Sequence, residues 1–577
     1  MAGGHRLAGM GASRGAALGR ARVRQPLLPE TGRERIAASR VEDEINRLHV
    51  AVDSARQEMA LLRQRLHGAM PAEVGEFLDL HTLLLDDPEL LAALDELIRS
   101  QRYSASCALG VQRQRLAALF EQMEDDYLRS RIDDLDHVIG RLLQLLNPQQ
   151  RPSAGVAGEI LICESIAPAE LVQLPASGVV GVVTTGGSLL SHSAILARSL
   201  HLPLVVGAHQ ALQKLHSGQL LIIDGDSGQI TPDPDAEQLR QYRLRVRELA
   251  RERRELQRLR SKPSRTLDGC DIRLLLNAES SEDFTQVHRL GAAGLGLYRT
   301  EFLFLQGSSL PDEQTQFEHY RNAVLAMAGR PATFRSMDLG ADKADRAGLA
   351  PTHEENPALG VRGIRLSLSN PQVFDTQLRA ILRASGYGPV RLLLPMVSGR
   401  EEVLAVRRRL RLIQRQLRDS GHAVSEQVAL GAMIEVPSAA LAVHGFIDLI
   451  DFLSVGTNDL VQYLLAADRN NPNVSAYYNP LHPALLQLLA QLLDTGAQAQ
   501  IPVSVCGEIA GDARLTPLLL ALGLREFSLH PGTLLEVRQS IRQCDLDKLT
   551  AARPALLRAR DRRGIERWLR AHTPASH

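Results

Sequence analysis

The chain is 577 residues long, more than one hydrophobic core usually organises, so several domains are expected. Lys plus Arg and Asp plus Glu both total 66, and a net charge of zero removes the main electrostatic case for a nucleic-acid binder. No apolar run reaches the roughly 18–20 residues of a membrane span, and Met1–Met10 lacks the basic start and apolar core of an export signal, so a cytoplasmic protein without membrane insertion is expected.

The first segment, Gly9–Arg20, is small and Gly-rich, and it is expected to join the α/β region that begins near Ala154. Between them, from about Gly32 to Leu146, Leu, Glu, Gln and Arg dominate. Arg40–Arg65, Cys107–Met123 and Tyr127–Leu146 carry apolar residues three and four apart, the period of amphipathic helices. Asp86-Asp87-Pro88 supplies a cap and a helix start, since Pro is tolerated in the first helical turn. This reads as an inserted helical bundle. From Ala154 to Pro234 short apolar strands alternate with Gly-containing turns: Glu159–Cys163, Gly178–Thr184, Leu204–Val206 and Gln219–Ile223. Ala236–Leu259 reads as a long charged helix stopped before Pro263.

From Gly269 onward the rhythm changes. Strands are predicted at Asp271–Asn277, Ala292–Leu297, Ala332–Asp338, Arg391–Met396, Ala429–Ile434, Asp451–Gly456, Pro502–Cys506 and Arg525–Leu529. Helical segments such as Pro371–Ser385, Glu401–Arg418 and Pro483–Ala497 separate them. Eight strands alternating with helices over roughly 260 residues is the size and rhythm of a (β/α)8 TIM barrel. The basic runs Arg251–Arg258 and Arg407–Arg411 fit solvated helix faces.

A barrel places its chemistry just after its strand ends. Arg299 and Glu301, Arg335 and Asp338, Arg362 and Arg365, Glu435, Asn458-Asp459 and Cys506-Gly507-Glu508 occupy such positions. Arg299, Arg335 and Arg362 are expected to converge with Lys343, because a guanidinium fork suits a phosphate. Glu435 and Asp459 sit on the next strands, where hard oxygens would hold Mg²⁺ against the same anion. The five cysteines, Cys107, Cys163, Cys270, Cys506 and Cys544, are spaced for neither a disulfide framework nor a thiolate metal site. Cys506 reads either as buried filler or as a group that moves a proton. His192 follows a strand and a Gly turn at the start of a helix, with Ser191 and Ser193 beside it. It reads either as a cap-region histidine or as a phosphohistidine served by unpaired helix N–H groups.

Longer stretches carry a family likeness: Gly294-Leu-Gly-Leu-Tyr-Arg-Thr-Glu-Phe-Leu-Phe304, Glu354-Glu-Asn-Pro-Ala-Leu-Gly360, Gly431-Ala-Met-Ile-Glu-Val-Pro437, Asp451-Phe-Leu-Ser-Val-Gly-Thr-Asn-Asp-Leu460 and Val505-Cys-Gly-Glu508. The chain resembles Enzyme I of the bacterial sugar phosphotransferase system, which uses phosphoenolpyruvate (PEP) to phosphorylate a carrier protein. The resemblance implies His192 as phosphoacceptor, Cys506 as proton donor, and Arg299, Arg335 and Arg362 on the phosphate. It also implies Asn458 and Arg469 on the substrate carboxylate, and Mg²⁺ on Glu435 and Asp459. The organisation it implies is a multidomain α/β protein: a discontinuous swivelling phosphohistidine domain (1–31 with 147–234), a helical subdomain that docks the phosphocarrier protein HPr (32–146), a linker helix (235–263), and a PEP-binding TIM barrel that forms a homodimer (264–577).

The chain departs from that family's pattern before the acceptor. Gly187-Ser188-Leu189-Leu190-Ser191-His192 stands where Gly-Gly-Arg-Thr-Ser-His is usual. Ala341 in Gly340-Ala341-Asp342-Lys343 and Val361 are further departures. The alternative reading is a regulatory or degenerate paralogue that binds a carrier protein with weak or different transfer. The related pyruvate phosphate dikinase and PEP synthase need a nucleotide-binding domain, for which no Gly-rich Lys-Ser/Thr loop appears.

Overall fold

The computed structural model describes residues 7–24, 35–65, 81–121, 126–147, 157–166, 168–187, 192–200, 202–305, 310–340, 354, 356–469, 471, 474 and 476–573. It divides into two compact units, Met1–Arg253 and Arg254–His577.

In the first unit, strands β1 (Leu7–Ala8), β2 (Met10–Ser13), β3 (Ala16–Val23), β4 (Glu159–Cys163), β5 (Gly181–Thr184), β6 (Leu204–Val206), β7 (Leu220–Asp224) and β8 (Gln229–Pro232) form one sheet. Its order is β1-β8-β7-β3-β4-β5-β6-β2. β3 runs parallel to β4 and antiparallel to β7, and β2 closes antiparallel on β6, so the opening segment and 159–232 share a sheet. Alternate residues of β4 serve opposite faces: Leu161 and Cys163 enter one buried cluster, Ile160 and Ile162 another. Both faces are therefore covered, which explains why these strands read as continuous apolar runs. β8 was not predicted as a strand, because its Thr231-Pro232 end reads as a turn.

Among the described residues, four long helices lie between β3 and β4 in the chain: Val41–Arg65, Pro88–Gln101, Ala105–Glu121 and Asp126–Leu146. Leu48, Val52, Leu94, Ile98, Leu109, Leu135 and Leu142 build their common core at helical spacing. The Asp87 carboxylate accepts the Glu89 backbone N–H at 2.9 Å, with Pro88 in the first turn. The helix Ala236–Arg258 buries none of its side chains. No helix among the described residues is long and apolar enough to cross a membrane.

The second unit holds a closed parallel barrel of β9 (Arg273–Ala278), β10 (Leu295–Arg299), β11 (Ala332–Arg335), β12 (Val390–Leu394), β13 (Ala429–Ile434), β14 (Phe452–Val455), β15 (Val503–Val505) and β16 (Glu526–Leu529). The two-residue period decides which side chains fill it. Leu392, Leu394, Ala432, Ile434, Leu453 and Val455 face the helical layer, while Leu393, Met433 and Phe452 gather inside with Leu297 and Cys506.

Most barrel strands differ by a residue or two from their sequence prediction, and two differ by three residues at one end. Ala292 belongs to the preceding turn, since its N–H bonds to Val287 O, so β10 starts later. β11 stops at Arg335 because Met337 N and Asp338 N donate to the side chains of Gln377 and Glu301 rather than to a neighbouring strand.

Candidate active site

The carboxyl ends of the barrel strands assemble a charged cluster. Arg335, the last residue of β11, donates to Glu301 Oε1 through Nε at 3.1 Å and approaches Asp338 Oδ2 at 3.3 Å. Arg362 reaches the same carboxylate, with Nη2 3.1 Å from Asp338 Oδ2, and lies 3.8 Å from Asp459 Oδ2. Its Nη1 meets the Tyr463 hydroxyl at 3.3 Å, and that hydroxyl donates to Ala358 O. Asp338, with only 3% of its side chain exposed, thus bridges two guanidinium groups. Burial opposes its charge, but Arg335 and Arg362 hold its carboxyl below the ordinary value. Burial likewise opposes the charge on both arginines. Glu301, Asp338 and Glu435 outweigh it at Arg335, and Asp338 and Asp459 at Arg362, so both stay cationic.

Arg299 ends β10 and pairs with Glu279, the residue after β9. Its Nε is buried without a hydrogen-bond partner, as is Glu301 Oε2. A backbone joint of unusual shape carries Arg362. Gly363 has φ +57°, and a Cβ there would lie 2.8 Å from Met396 Cβ and 3.2 Å from Asp338 Oδ1.

Glu435 follows β13 and is 1% exposed. Its Oε1 accepts the Met396 N–H at 2.6 Å. Burial, with Asp338 and Asp459 nearby, pushes its carboxyl up to about 8 against the pull of Arg335. Two acidic side chains facing a third in a buried site form an arrangement that a divalent cation relieves. Among the described residues no group of three or more His, Cys, Asp and Glu forms a ready-made cage. Mg²⁺ needs none, since it takes one or two carboxylates and completes its shell with waters and substrate oxygens. Glu435 and Asp459 fit that donor set.

Asn458, beside Asp459 on the helix Thr457–Leu465, is fixed by a reciprocal pair. Its Oδ1 accepts Glu508 N at 3.0 Å and its Nδ2 donates to Glu508 Oε1 at 3.3 Å. Arg469 is exposed, anchored through its backbone N–H to Gln462 Oε1 at 3.2 Å. Cys506 is buried after β15, with Sγ donating to Val455 O at 3.4 Å. Burial pushes its thiol up to about 11, despite the lowering influence of Ser454, Arg335 and Arg299, so it holds its proton at neutral pH. Lys343 lies outside the described residues.

His192 opens the helix His192–Ser199 in the first unit. That helix packs through Ala194, Leu196 and Ala197 into the sheet core. The Ser193 hydroxyl, expected beside the acceptor, donates to Ile166 O at 2.6 Å. Ser188, Leu189, Leu190 and Ser191 lie outside the described residues.

Sequence reasoning did not single out Glu279, Gln377 or Tyr463 as parts of the site. The strand-end rule would have found Glu279, which follows β9 directly. Tyr463 stands four residues after Asp459 and so shares its helix face. Gln377 carries no signal of that kind.

Three family models match: PEP-utilising enzyme, N-terminal (residues 8–131), mobile domain (155–228) and PEP-binding domain (253–546). The phosphoenolpyruvate-protein phosphotransferase of Cupriavidus necator is 43% identical over 568 residues, covering 96% of this chain and 97% of its own. That of Latilactobacillus sakei is 35% identical over 549 residues, covering 94% and 95%. A solved Enzyme I structure, determined by NMR, covers 42% of this chain and 99% of its own at 26% identity with a TM-score of 0.34. The chain belongs to the PEP-utilising enzyme family, and within it to the phosphoenolpyruvate-protein phosphotransferases.

Proposed function

We propose that this chain takes the phosphoryl group of PEP onto His192 and passes it to the histidine of the carrier protein HPr, the first step of sugar uptake by a phosphotransferase system. The observation that carries the reading is the strand-end cluster, in which Arg335 and Arg362 share Asp338 while Arg299 keeps a buried, unpartnered Nε donor. Such donors suit a phosphate dianion, and they are worth more where water is excluded.

In this reading Arg299, Arg335, Arg362 and Lys343 hold the phosphate, and Asn458 and Arg469 hold the carboxylate. Glu435 and Asp459 hold Mg²⁺, which offsets charge on the phosphoryl oxygens when bound. A neutral ring nitrogen of His192 forms the P–N bond as the P–O bond to the enolate breaks. The enolate carbon takes the proton held by the Cys506 thiol, giving pyruvate. Phospho-His192 then donates to HPr. The raised thiol suits that role, because only a protonated Cys506 can deliver.

We assign the swivelling domain to 1–31 with 147–234, the HPr-binding subdomain to 32–146, the linker helix to 235–263, and the barrel, with a homodimer interface, to 264–577. The setting is cytoplasmic. A regulatory paralogue without efficient transfer is not favoured, because the barrel residues assigned to chemistry are all present.

Labelled PEP with Mg²⁺, offered with and without HPr, tests the proposal. Wild type should take label and His192→Ala should not. Equal labelling of the two would overturn the acceptor assignment, and label that stays on the enzyme in the presence of HPr would overturn the carrier assignment.

A further inference from the structure

The helix Pro371–Ala384 buries Phe374, Leu378 and Ile381 on the face it turns to the barrel, and Gln377 sits among them at 1% exposure. A primary amide on a core face is costly unless every polar atom is paired. Here each is. Gln377 Oε1 accepts Met337 N at 3.0 Å, and Nε2 donates to Thr300 Oγ1 at 3.0 Å and to the Tyr320 hydroxyl at 3.3 Å. Both hydroxyls pass their own hydrogens on. Thr300 donates to Arg335 O at 2.8 Å, and Tyr320 donates to Gln316 Oε1 at 3.2 Å. Thr300, Gln316 and Tyr320 are 0% exposed. Because Met337 N–H can only donate, the amide has one possible orientation and the network one set of proton positions.

The backbone that this amide grips is that of the strand ends. Thr300 lies between Arg299 and Glu301, and the bonds to Arg335 O and Met337 N flank the turn that brings Asp338 back between Arg335 and Arg362. One side chain from a helix outside the barrel therefore ties the ends of β10 and β11 together. No hydrophobic residue could take its place without orphaning Met337 N–H. A carboxylate would set a further charge near Glu301 and Asp338.

We propose that Gln377, acting through Thr300, is a positioning residue that sets Arg299 and Arg335 at the spacing the substrate phosphate requires. This rests on the reading that those arginines hold the phosphate of PEP. Misplacing binding groups by a fraction of an ångström costs binding and rate even where the fold survives. Gln377 touches no reacting atom.

The test uses the full-length protein with Mg²⁺: wild type, Gln377→Leu, Thr300→Val and Thr300→Ser. Phosphorylation of His192 by PEP is followed, together with inhibition by pyruvate and transfer from phospho-His192 to HPr. Gln377→Leu and Thr300→Val should each raise the KM for PEP roughly tenfold. The double variant should add little, since both act in one network. Thr300→Ser, which keeps the hydroxyl, should behave as wild type. Inhibition by pyruvate, which lacks the phosphate, and the second transfer should stay within about twofold of wild type in every variant.

An unchanged KM for PEP would overturn the inference. So would a parallel loss of PEP and pyruvate affinity, which would mark Gln377 as a structural residue of the barrel. Should Gln377→Leu fail to fold, Thr300→Val and its serine control decide by the same readings. A wild-type protein that takes no phosphoryl group from PEP would overturn the functional reading itself, and that control is read before any variant.

Discussion

At the scale of single residues, the site works by setting burial against neighbouring charge, and the balance differs between side chains a few ångströms apart. Asp338 stays ionised because two guanidinium groups outweigh its burial, whereas Glu435 has like charges beside it and is pushed up to about 8. At the thiols burial outweighs the neighbours that oppose it, and pushes Cys506 and Cys544 up to about 11 and Cys163 up to about 12. A raised acid keeps its proton in the folded state at a pH where the unfolded chain has lost it. The stability this contributes is complete below the ordinary thiol value of 9.0 and is lost as pH rises through about 11 to 12. Denaturant midpoints should therefore fall over that interval, and Cys163→Ala should flatten the fall for the first unit. A Cys163→Ala profile with the wild-type slope would show that this thiol is not held protonated by the fold. Alkylation gives a second view. Half-buried Cys270 should react with iodoacetamide before buried Cys506 at neutral pH.

At the scale of elements, the junction after Arg362 shows how a backbone joint determines where a guanidinium arrives. Gly363 takes φ +57° immediately before the helix Ile364–Ser369, with Met396 and Asp338 packed where a Cβ would go. Gly363→Ala meets both a left-handed backbone and a 2.8 Å contact, and should cost about 1–3 kcal/mol of barrel stability. The relaxation would move Arg362, so the KM for PEP should rise alongside. A variant with wild-type melting and wild-type KM would mean that the joint tolerates a side chain.

Such joints set the limit of what could be read from the sequence. All eight barrel strands were legible, because each is a short apolar run between a helix and a polar turn, and β13 ran as read, Ala429–Ile434. The charged positions at the strand ends were legible for the same reason. β1 to β3 were not separable, since Met10–Ser13 and Ala16–Val23 are small and Gly-containing and pair mainly with strands about two hundred residues away. Gln377 was invisible because its partners lie 40, 57 and 77 residues distant, and no local period records them.

At the scale of the molecule, the two units have separate hydrophobic cores. Leu48, Leu94 and Ile139 centre one cluster, and Leu161 and Ile162 the two faces of the sheet, all within Met1–Arg253. The barrel and its helices form another, from Ile272 to Trp568, within Arg254–His577. Units with separate cores need not unfold together, so one two-state transition is the wrong description. PEP binds only the barrel in the reading given above, and a ligand raises the stability of the unit it binds by about 2.7 kcal/mol at a hundredfold excess over Kd. Scanning calorimetry of His192→Ala, which cannot consume the ligand, should thus show the barrel transition rising by several degrees with PEP and Mg²⁺ while that of the first unit stays in place. Gln377→Leu should retain both transitions and, with its roughly tenfold weaker binding, lose about half of the PEP-induced rise. A rise shared equally by both transitions would mean that PEP binding couples the two cores, and no rise at all would remove PEP from the barrel.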